Sequence, residues 1–245
     1  MKLSVIIPVY NEKNTILEIL GRVKAVPVGK EVIVVDDGST DGTREILKQM
    51  MISGNIPFSV SSPPGREGEG EWDIKVILKE KNEGKGAAIR EGLKHVRGDF
   101  VVIQDGDLEY DPMDWLKMLK VMNEKNGGVA YGSRVLGRGK KSSFAFYFGG
   151  RLLSFLVNIL YGARITDEPT CYKMFKSGVI KSLNLKCKRF EFCPEATAKV
   201  LRSGYKIYEV PVSYMPRKIS EGKKIRWKDG LEAIWTLLKY RFLKW

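Results

Sequence analysis

Three clusters of polar side chains, far apart in the chain, each close an apolar run: Pro8-Val9-Tyr10-Asn11-Glu12, Asp36-Asp37-Gly38-Ser39, and Asp105-Gly106-Asp107-Leu108-Glu109. Alternate residues of an extended segment point the same way, so Asp105 and Asp107 can share a hard divalent cation, Mg²⁺ or Mn²⁺, with Glu109 one step further. Such a cation bridges the phosphates of a nucleotide and neutralises charge on a leaving group. A fourth segment, Asn82-Glu83-Gly84-Lys85-Gly86, lies between a strand pattern and a helix pattern. Its glycines allow close backbone approach, and Lys85 beside a helix N-terminus suits an anion. The ATPase phosphate loop has a different spacing, G-x-x-x-x-G-K-[ST]. His95 is the single histidine, so chemistry that depends on an imidazole base has one candidate in the chain.

The elements that must position these groups follow from periodicity. Residues 3–9, 31–37, 73–79 and 99–105 are short runs rich in β-branched residues. Between them, 14–24, 40–50 and 87–96 carry apolar residues at helical spacing, with Asn14 as the expected N-cap of the first helix. Continuous apolar strands alternating with helices predict an α/β fold with a mostly parallel, Rossmann-like sheet covered on both faces. In such sheets ligands bind beyond the carboxyl ends of the strands, where the three clusters fall. Residues 53–73, with three prolines and four glycines, predict a surface insertion.

Of 245 residues, 43% are hydrophobic and 29% charged, which excludes a predominantly disordered chain. Three cysteines, an odd number without a CxxC, argue against a disulfide framework and for a reducing compartment. The N-terminus opens directly into an apolar strand pattern with no secretory leader, so a cytoplasmic location is expected. The net charge of +13 comes almost entirely from two stretches: 134–166, with six basic and no acidic residues, and 216–245, with nine basic and three acidic. The first contains the apolar segment 144–163, whose Arg151, Ser154, Asn158 and Tyr161 form a polar stripe. A spanning helix would leave Arg151 near mid-membrane at about 3 kcal/mol or more, so an interfacial helix is expected in its place, its polar stripe turned toward the protein. The second combines lysines and arginines with Leu231, Ile234, Trp235, Leu238, Phe242 and Trp245 at helical spacing. Such a basic amphipathic segment suits an anionic membrane surface better than nucleic acid.

IPVYNE, VVDDGSTDGT, NEGKGAAIREG and DGDLEYDP, in this order, resemble the nucleotide-sugar-binding half of glycosyltransferase family 2, the inverting GT-A enzymes. TDEPTCYKMFK and FEFCPEATAKVLRSGYKIYEVPVSYMPR extend the likeness over most of the chain. Within the family it is most similar to dolichol-phosphate mannosyltransferases and polyprenyl-phosphate hexosyltransferases. The resemblance implies a GT-A catalytic domain over 1–215 followed by the amphipathic segment 216–245. It implies transfer of a hexose from GDP-mannose or UDP-glucose to dolichyl or polyprenyl phosphate, at the cytoplasmic face of a membrane. Pro8, Tyr10, Glu12, Val35 and Asp37 would hold the nucleotide, with Lys85, Asp105, Gly106 and Asp107 completing the donor site. Asp105, Asp107 and Glu109 would hold Mg²⁺ or Mn²⁺; Arg134, Arg151, Arg217 and Lys223 would face donor or acceptor phosphate. An acceptor phosphate is anionic at neutral pH and requires no base. Transfer to a sugar hydroxyl would require one, for which Glu195 or Asp167 are candidates.

Overall fold

The computed structural model describes residues 2–53, 72–137, 144–217 and 227–243. Seven strands form one sheet: β1 (Leu3–Val9), β2 (Lys30–Asp36), β3 (Trp72–Leu78), β4 (Phe100–Ile103), β5 (Val129–Ser133), β6 (Lys173–Lys176) and β7 (Ile207–Pro211), in the order β3-β2-β1-β4-β6-β5-β7. β3, β2, β1 and β4 are parallel neighbours, β6 runs antiparallel to both β4 and β5, and β7 is parallel to β5. The expected mostly parallel α/β sheet is therefore present, with one reversed strand inserted in it.

Alternation along the central strands divides the core. Val5, Ile7, Val32 and Val34 point into one layer, where helices α1 (Ile16–Ala25) and α4 (Trp115–Glu124) add Ile19, Leu20, Trp115 and Met118. α2 (Thr43–Ser53) adds Leu47 and Met50 to the same layer. Ile6, Ile33 and Val35 point into the other, with Ala88 and Ile89 of α3 (Lys85–Leu93), Ile180 of α6 (Ser177–Ser182) and Phe192 and Ala196 of α7 (Phe192–Arg202). Two long helices pack together on this side, α5 (Phe144–Tyr161) and α8 (Trp227–Phe242), and bury Val157, Leu237 and Tyr240.

Two local expectations change. The first helix begins at Ile16 with Thr15, not Asn14, at its N-cap; the Thr15 hydroxyl donates to Glu12 Oε2 at 2.9 Å. The segment 53–73 ends sooner than the sequence suggested, because Trp72 and Asp73 pair with Lys30 and Glu31 in β3; 54–71 lie outside the described residues. Among the described residues no helix is long and apolar enough to cross a membrane. The polar stripe of α5 faces the protein, as expected: Asn158 exchanges two 2.9 Å hydrogen bonds with the Ile165 backbone, Ser154 Oγ accepts from Glu168 N, and Tyr161 donates to Leu237 O.

Candidate active site

Pro8↔Val35 and Val9↔Asp36 are paired in register, so β1 and β2 end side by side. Their loops are stitched together. Asn11 N donates to Ser39 Oγ, Thr40 N to Asn11 Oδ1, and Glu12 N to Thr43 Oγ1, all at 2.8–2.9 Å. Asp36 is sealed by Arg44 at 2.7 Å. Asp37 accepts from Lys79 Nζ at 2.5 Å and from the backbone N–H groups of Glu83 and Gly84. Its carboxylate thus caps the start of α3 from outside the helix, where a negative charge is stabilised by the exposed amides. Gly38 (φ +78°) and Gly84 (φ +100°) both need left-handed backbone here. A Cβ at Gly38 would lie 2.6 Å from Asn82 N, and one at Gly84 would collide with Lys188 O. The next two amides of α3, of Gly86 and Ala87, donate to Arg189 O and Lys188 O. Those two amides are therefore already taken by protein, and Lys85, with Asn82, Glu83 and Gly84, lines the site.

Lys85 pairs with Asp105. Burial works against its charge, but the Asp105 carboxylate holds the ammonium well above the ordinary lysine range. Residues 105–109 form a turn, with Leu108 at φ +62°, in place of the extended segment expected from the sequence. The carboxylates consequently spread. Asp105 goes to Lys85. Asp107 Oδ2 lies 3.1 Å from Arg217 Nη2, and Glu109 accepts from Arg217 N at 2.7 Å and from the Tyr214 hydroxyl at 3.1 Å. Arg217 also forks onto Glu12, with both nitrogens at 3.0 Å. Among the described residues no three ligating side chains stand together in a geometry that holds a metal ion as they are. Burial, reinforced by the charges of Asp105 and Glu109, pushes the Asp107 carboxyl up to about 7 even with Arg217 beside it.

These groups line a cavity of about 1010 Å³, together with Pro8, Tyr10 and Gly106. Helices α5 and α8 give it a mainly apolar wall of Leu152, Leu153, Leu231, Ala233 and Ile234 with Gly149, Gly150 and Gly230, to which Asp229, 3.9 Å from Arg189, adds a charged pair. Arg134 lines the wall, held by Asp167 through its backbone and guanidinium at 2.7–2.8 Å and lying 5.1 Å from the Tyr214 ring centroid.

Several expected residues stand elsewhere. Val35 is a core side chain in the layer of Ala88 and Ile89 and does not line the cavity. Arg151 does not line it either; it donates to Thr166 O at 2.9 Å and so fixes the loop before β6. Glu195 is buried behind the cavity wall, paired with Lys199 at 2.7 Å and accepting from Lys186 N, Cys187 N and Tyr240 Oη. Neither Glu195 nor Asp167, bound to Arg134, is placed to take a proton from a hydroxyl. Lys223 lies outside the described residues, as do Arg138, Lys140 and Lys141. Sequence reasoning missed Arg189, Tyr214 and Glu168, all of which line the cavity. Each is an ordinary residue in an irregular segment, and only the folded chain shows where it points. Cys171 and Cys193 also line the cavity as free thiols, and Cys193 Sγ donates to Thr170 O at 3.5 Å.

Known proteins share this architecture. Dolichol-phosphate mannosyltransferase of Pyrococcus furiosus is 29% identical over 252 residues, covering 100% of this chain and 64% of that protein. Undecaprenyl-phosphate 4-deoxy-4-formamido-L-arabinose transferase of Edwardsiella ictaluri is 28% identical over 225 residues, covering 90% of this chain and 62% of that protein. The chain thus spans somewhat less than two thirds of the length of either relative. In fold it is similar to glucosyl-3-phosphoglycerate synthase of Mycobacterium tuberculosis, solved with Mn²⁺, UDP and glucosyl-3-phosphoglycerate. That likeness has a TM-score of 0.71 at 18% identity and covers 99% of this chain and 81% of that one. The profile of glycosyl transferase family 2 matches residues 4–183, spanning the strand-end clusters, the Lys85 loop and the Arg134–Asp167 pair, and the chain belongs to that family.

Proposed function

We propose that this protein transfers a hexose, with inversion, from a nucleotide diphosphate sugar to a polyprenyl or dolichyl monophosphate at a membrane surface. The observation that carries the reading is a single cavity lined both by the ionic groups of the strand ends and by apolar side chains of α5 and α8. A polyprenyl phosphate has the same polarity: its head is anionic and its tail apolar. The names of the Pyrococcus and Edwardsiella relatives support the same acceptor class.

In this reaction an acceptor phosphate oxygen bonds to the anomeric carbon while that carbon's bond to the diphosphate breaks, and the electron pair leaves with the nucleoside diphosphate. No proton changes hands, which agrees with Glu195 and Asp167 both being engaged elsewhere. Lys85 would hold the departing diphosphate, and Arg134 and Arg217 the incoming phosphate, offsetting the crowding of negative charge. Arg151 serves by fixing the loop that carries Asp167, and Lys223 is assigned to the acceptor phosphate on family resemblance alone. Pro8, Tyr10 and Glu12 border the nucleotide end, while Asp37 shapes the loop that presents Lys85.

The carboxylates fit a hard divalent cation. Glu12, Asp107 and Glu109 already surround one positive group, the Arg217 guanidinium and its backbone, with oxygen donors only. Asp105, Asp107 and Glu109 would hold Mg²⁺ or Mn²⁺ there, and when bound the cation would neutralise charge on the diphosphate. The Mycobacterium structures with Mn²⁺ or Mg²⁺ and UDP support this assignment.

The membrane side is built from two exposed stripes. Phe148, Leu152, Phe155 and Ile159 run along α5, and Trp227, Leu231, Trp235 and Phe242 along α8, with Phe155 59% and Trp235 63% exposed. Lys228, Lys239 and Arg241 are exposed on the same α8. Apolar stripes on packed helices with basic residues suit an anionic bilayer, and residues of the same two helices line the cavity.

The test is a panel of radiolabelled GDP- and UDP-sugars with polyprenyl phosphate and Mg²⁺, Mn²⁺ or EDTA. Label from one donor is expected in the organic phase, abolished by EDTA and by Asp107→Ala. Unchanged transfer by Asp107→Ala overturns the cation assignment, and label that enters only water-soluble products overturns the acceptor.

A further inference from the structure

Glu168 is fully buried in the loop between α5 and β6, yet it lines the cavity. Its backbone is tied on both sides, with Ser154 Oγ accepting from its N–H at 2.9 Å and its carbonyl accepting from Lys173 Nζ at 2.8 Å. One carboxylate oxygen, Oε1, accepts from Thr197 Oγ1 at 3.2 Å. That hydroxyl is itself fixed by Tyr131 Oη at 3.0 Å. The other oxygen, Oε2, is buried and has no hydrogen-bond partner among the described residues. A buried carboxylate oxygen left unpaired is destabilising, and native proteins rarely keep one without a use for it. Burial raises the Glu168 carboxyl above its ordinary range although Lys173 opposes the shift.

The position within the cavity narrows what this oxygen meets. Its chain neighbour Asp167 holds Arg134 at 2.7 Å, and Cys171 of the same loop lines the cavity with Lys85 and Asp105. Glu168 therefore belongs to the wall shared by the groups assigned to the departing diphosphate, Lys85, and to the incoming phosphate, Arg134. Phosphate oxygens would be repelled by it, and a hydrocarbon chain would leave it as unsatisfied as before. The group that follows the diphosphate in a nucleotide sugar is the hexose, whose hydroxyls donate hydrogen bonds. Resting on the donor class proposed above, we infer that Glu168 Oε2 accepts a hydrogen bond from one hydroxyl of the transferred hexose and so selects the configuration at that carbon. Sites that hydrogen-bond a particular hydroxyl reject analogues lacking it more strongly than apolar pockets reject a change of size.

The direction of the hydrogen bond gives the test. A fluorine in place of the hydroxyl can accept but not donate, so it would face Oε2 acceptor to acceptor. In Glu168→Gln the amide oxygen remains with the Thr197 hydroxyl and the amide N–H₂ turns to the cavity, where fluorine is tolerated. Calorimetric titration with Mn²⁺ would compare UDP, GDP, UDP-glucose, GDP-mannose and the singly deoxyfluorinated forms of whichever sugar nucleotide binds. In the wild type, substitution at one carbon is expected to weaken binding by about tenfold or more. In Glu168→Gln the penalty at that same carbon should disappear, with affinity for the nucleoside diphosphate alone unchanged. A flat fluorine profile in the wild type refutes the inference without reference to the variant, as does a penalty that Glu168→Gln leaves in place. Absence of binding by both sugar nucleotides and by UDP and GDP would instead overturn the donor class itself, and this inference with it.

Discussion

Replacing Glu195 by Gln separates a structural carboxylate from a catalytic one. Lys199 is completely buried, and its ammonium has Glu195 at 2.7 Å, Asn184 O at 2.8 Å and the Tyr240 ring at 4.8 Å. Lys186 N and Cys187 N donate to different carboxylate oxygens, so the amide keeps an oxygen for one of them, turns an N–H₂ donor to the other and removes the negative charge. Leaving one member of a buried pair uncompensated costs about 3–5 kcal/mol, and the loss of one of these backbone hydrogen bonds places this case near about 5. At about 2–4 °C per kcal/mol for a chain of this size, the melting temperature should fall by roughly 10–20 °C. The same variant supplies a sign test. Burial opposes the Glu195 charge, but Lys199 and the surrounding donors hold the native carboxyl below the ordinary 4.5. Its stabilisation is therefore complete above that value and is lost as pH falls toward the native one, and Glu195→Gln should lack this component of acid sensitivity. Adding Lys199→Met, which removes the stranded charge, should recover much of the loss. Calorimetric melting across pH, with transfer rate per folded molecule measured well below the transition, checks each point. A variant that melts normally but transfers a hundred times more slowly (about 2.7 kcal/mol in the barrier) would refute the structural account and make Glu195 a catalytic group.

Two further outcomes follow from the geometry. Gly84→Ala forces a Cβ into Lys188 O at a positive φ, so it should destabilise the protein by at least about 1 kcal/mol and, by moving Lys85, weaken nucleoside diphosphate binding; unchanged melting and affinity would contradict the packing described. Phe155→Glu combined with Trp235→Glu removes two exposed aromatics, each worth about 2 kcal/mol on transfer from water. It should abolish co-sedimentation with anionic liposomes while leaving nucleotide binding intact, and undiminished co-sedimentation would place the membrane contact elsewhere.

The sequence made the sheet legible where strands are apolar throughout, as in Val5–Ile7 and Val32–Val35. It concealed β6, because Lys-Met-Phe-Lys is short and begins and ends with charge. In the fold Lys173 is buried 3.5 Å from the Tyr131 ring centroid, and Lys176 reaches Asn126. The strand-end clusters were legible as a group, since burial and strand polarity put them at one edge. Their pairing was not. Glu12 and Arg217 are 205 positions apart, and Arg134 and Asp167 are joined across 33; no local pattern encodes which cation meets which acid. The turn at 105–109 likewise depends on a left-handed Leu108, a conformation that side-chain type does not announce.

The resting site is an array of matched ions: Asp37 with Lys79, Asp105 with Lys85, Glu12 and Asp107 with Arg217, and Asp167 with Arg134. A polyanionic guest that comes with its own cation can enter such an array by partner exchange. Guanidinium and ammonium would turn to the guest's phosphates while the carboxylates would turn to its counterion, and the sum of charge in the cleft would barely alter. A bare nucleoside diphosphate has no counterion to offer those acids. On the donor and cation proposed above, recognition would be of the ion pair rather than of either ion, and affinity for each should rise with the concentration of the other.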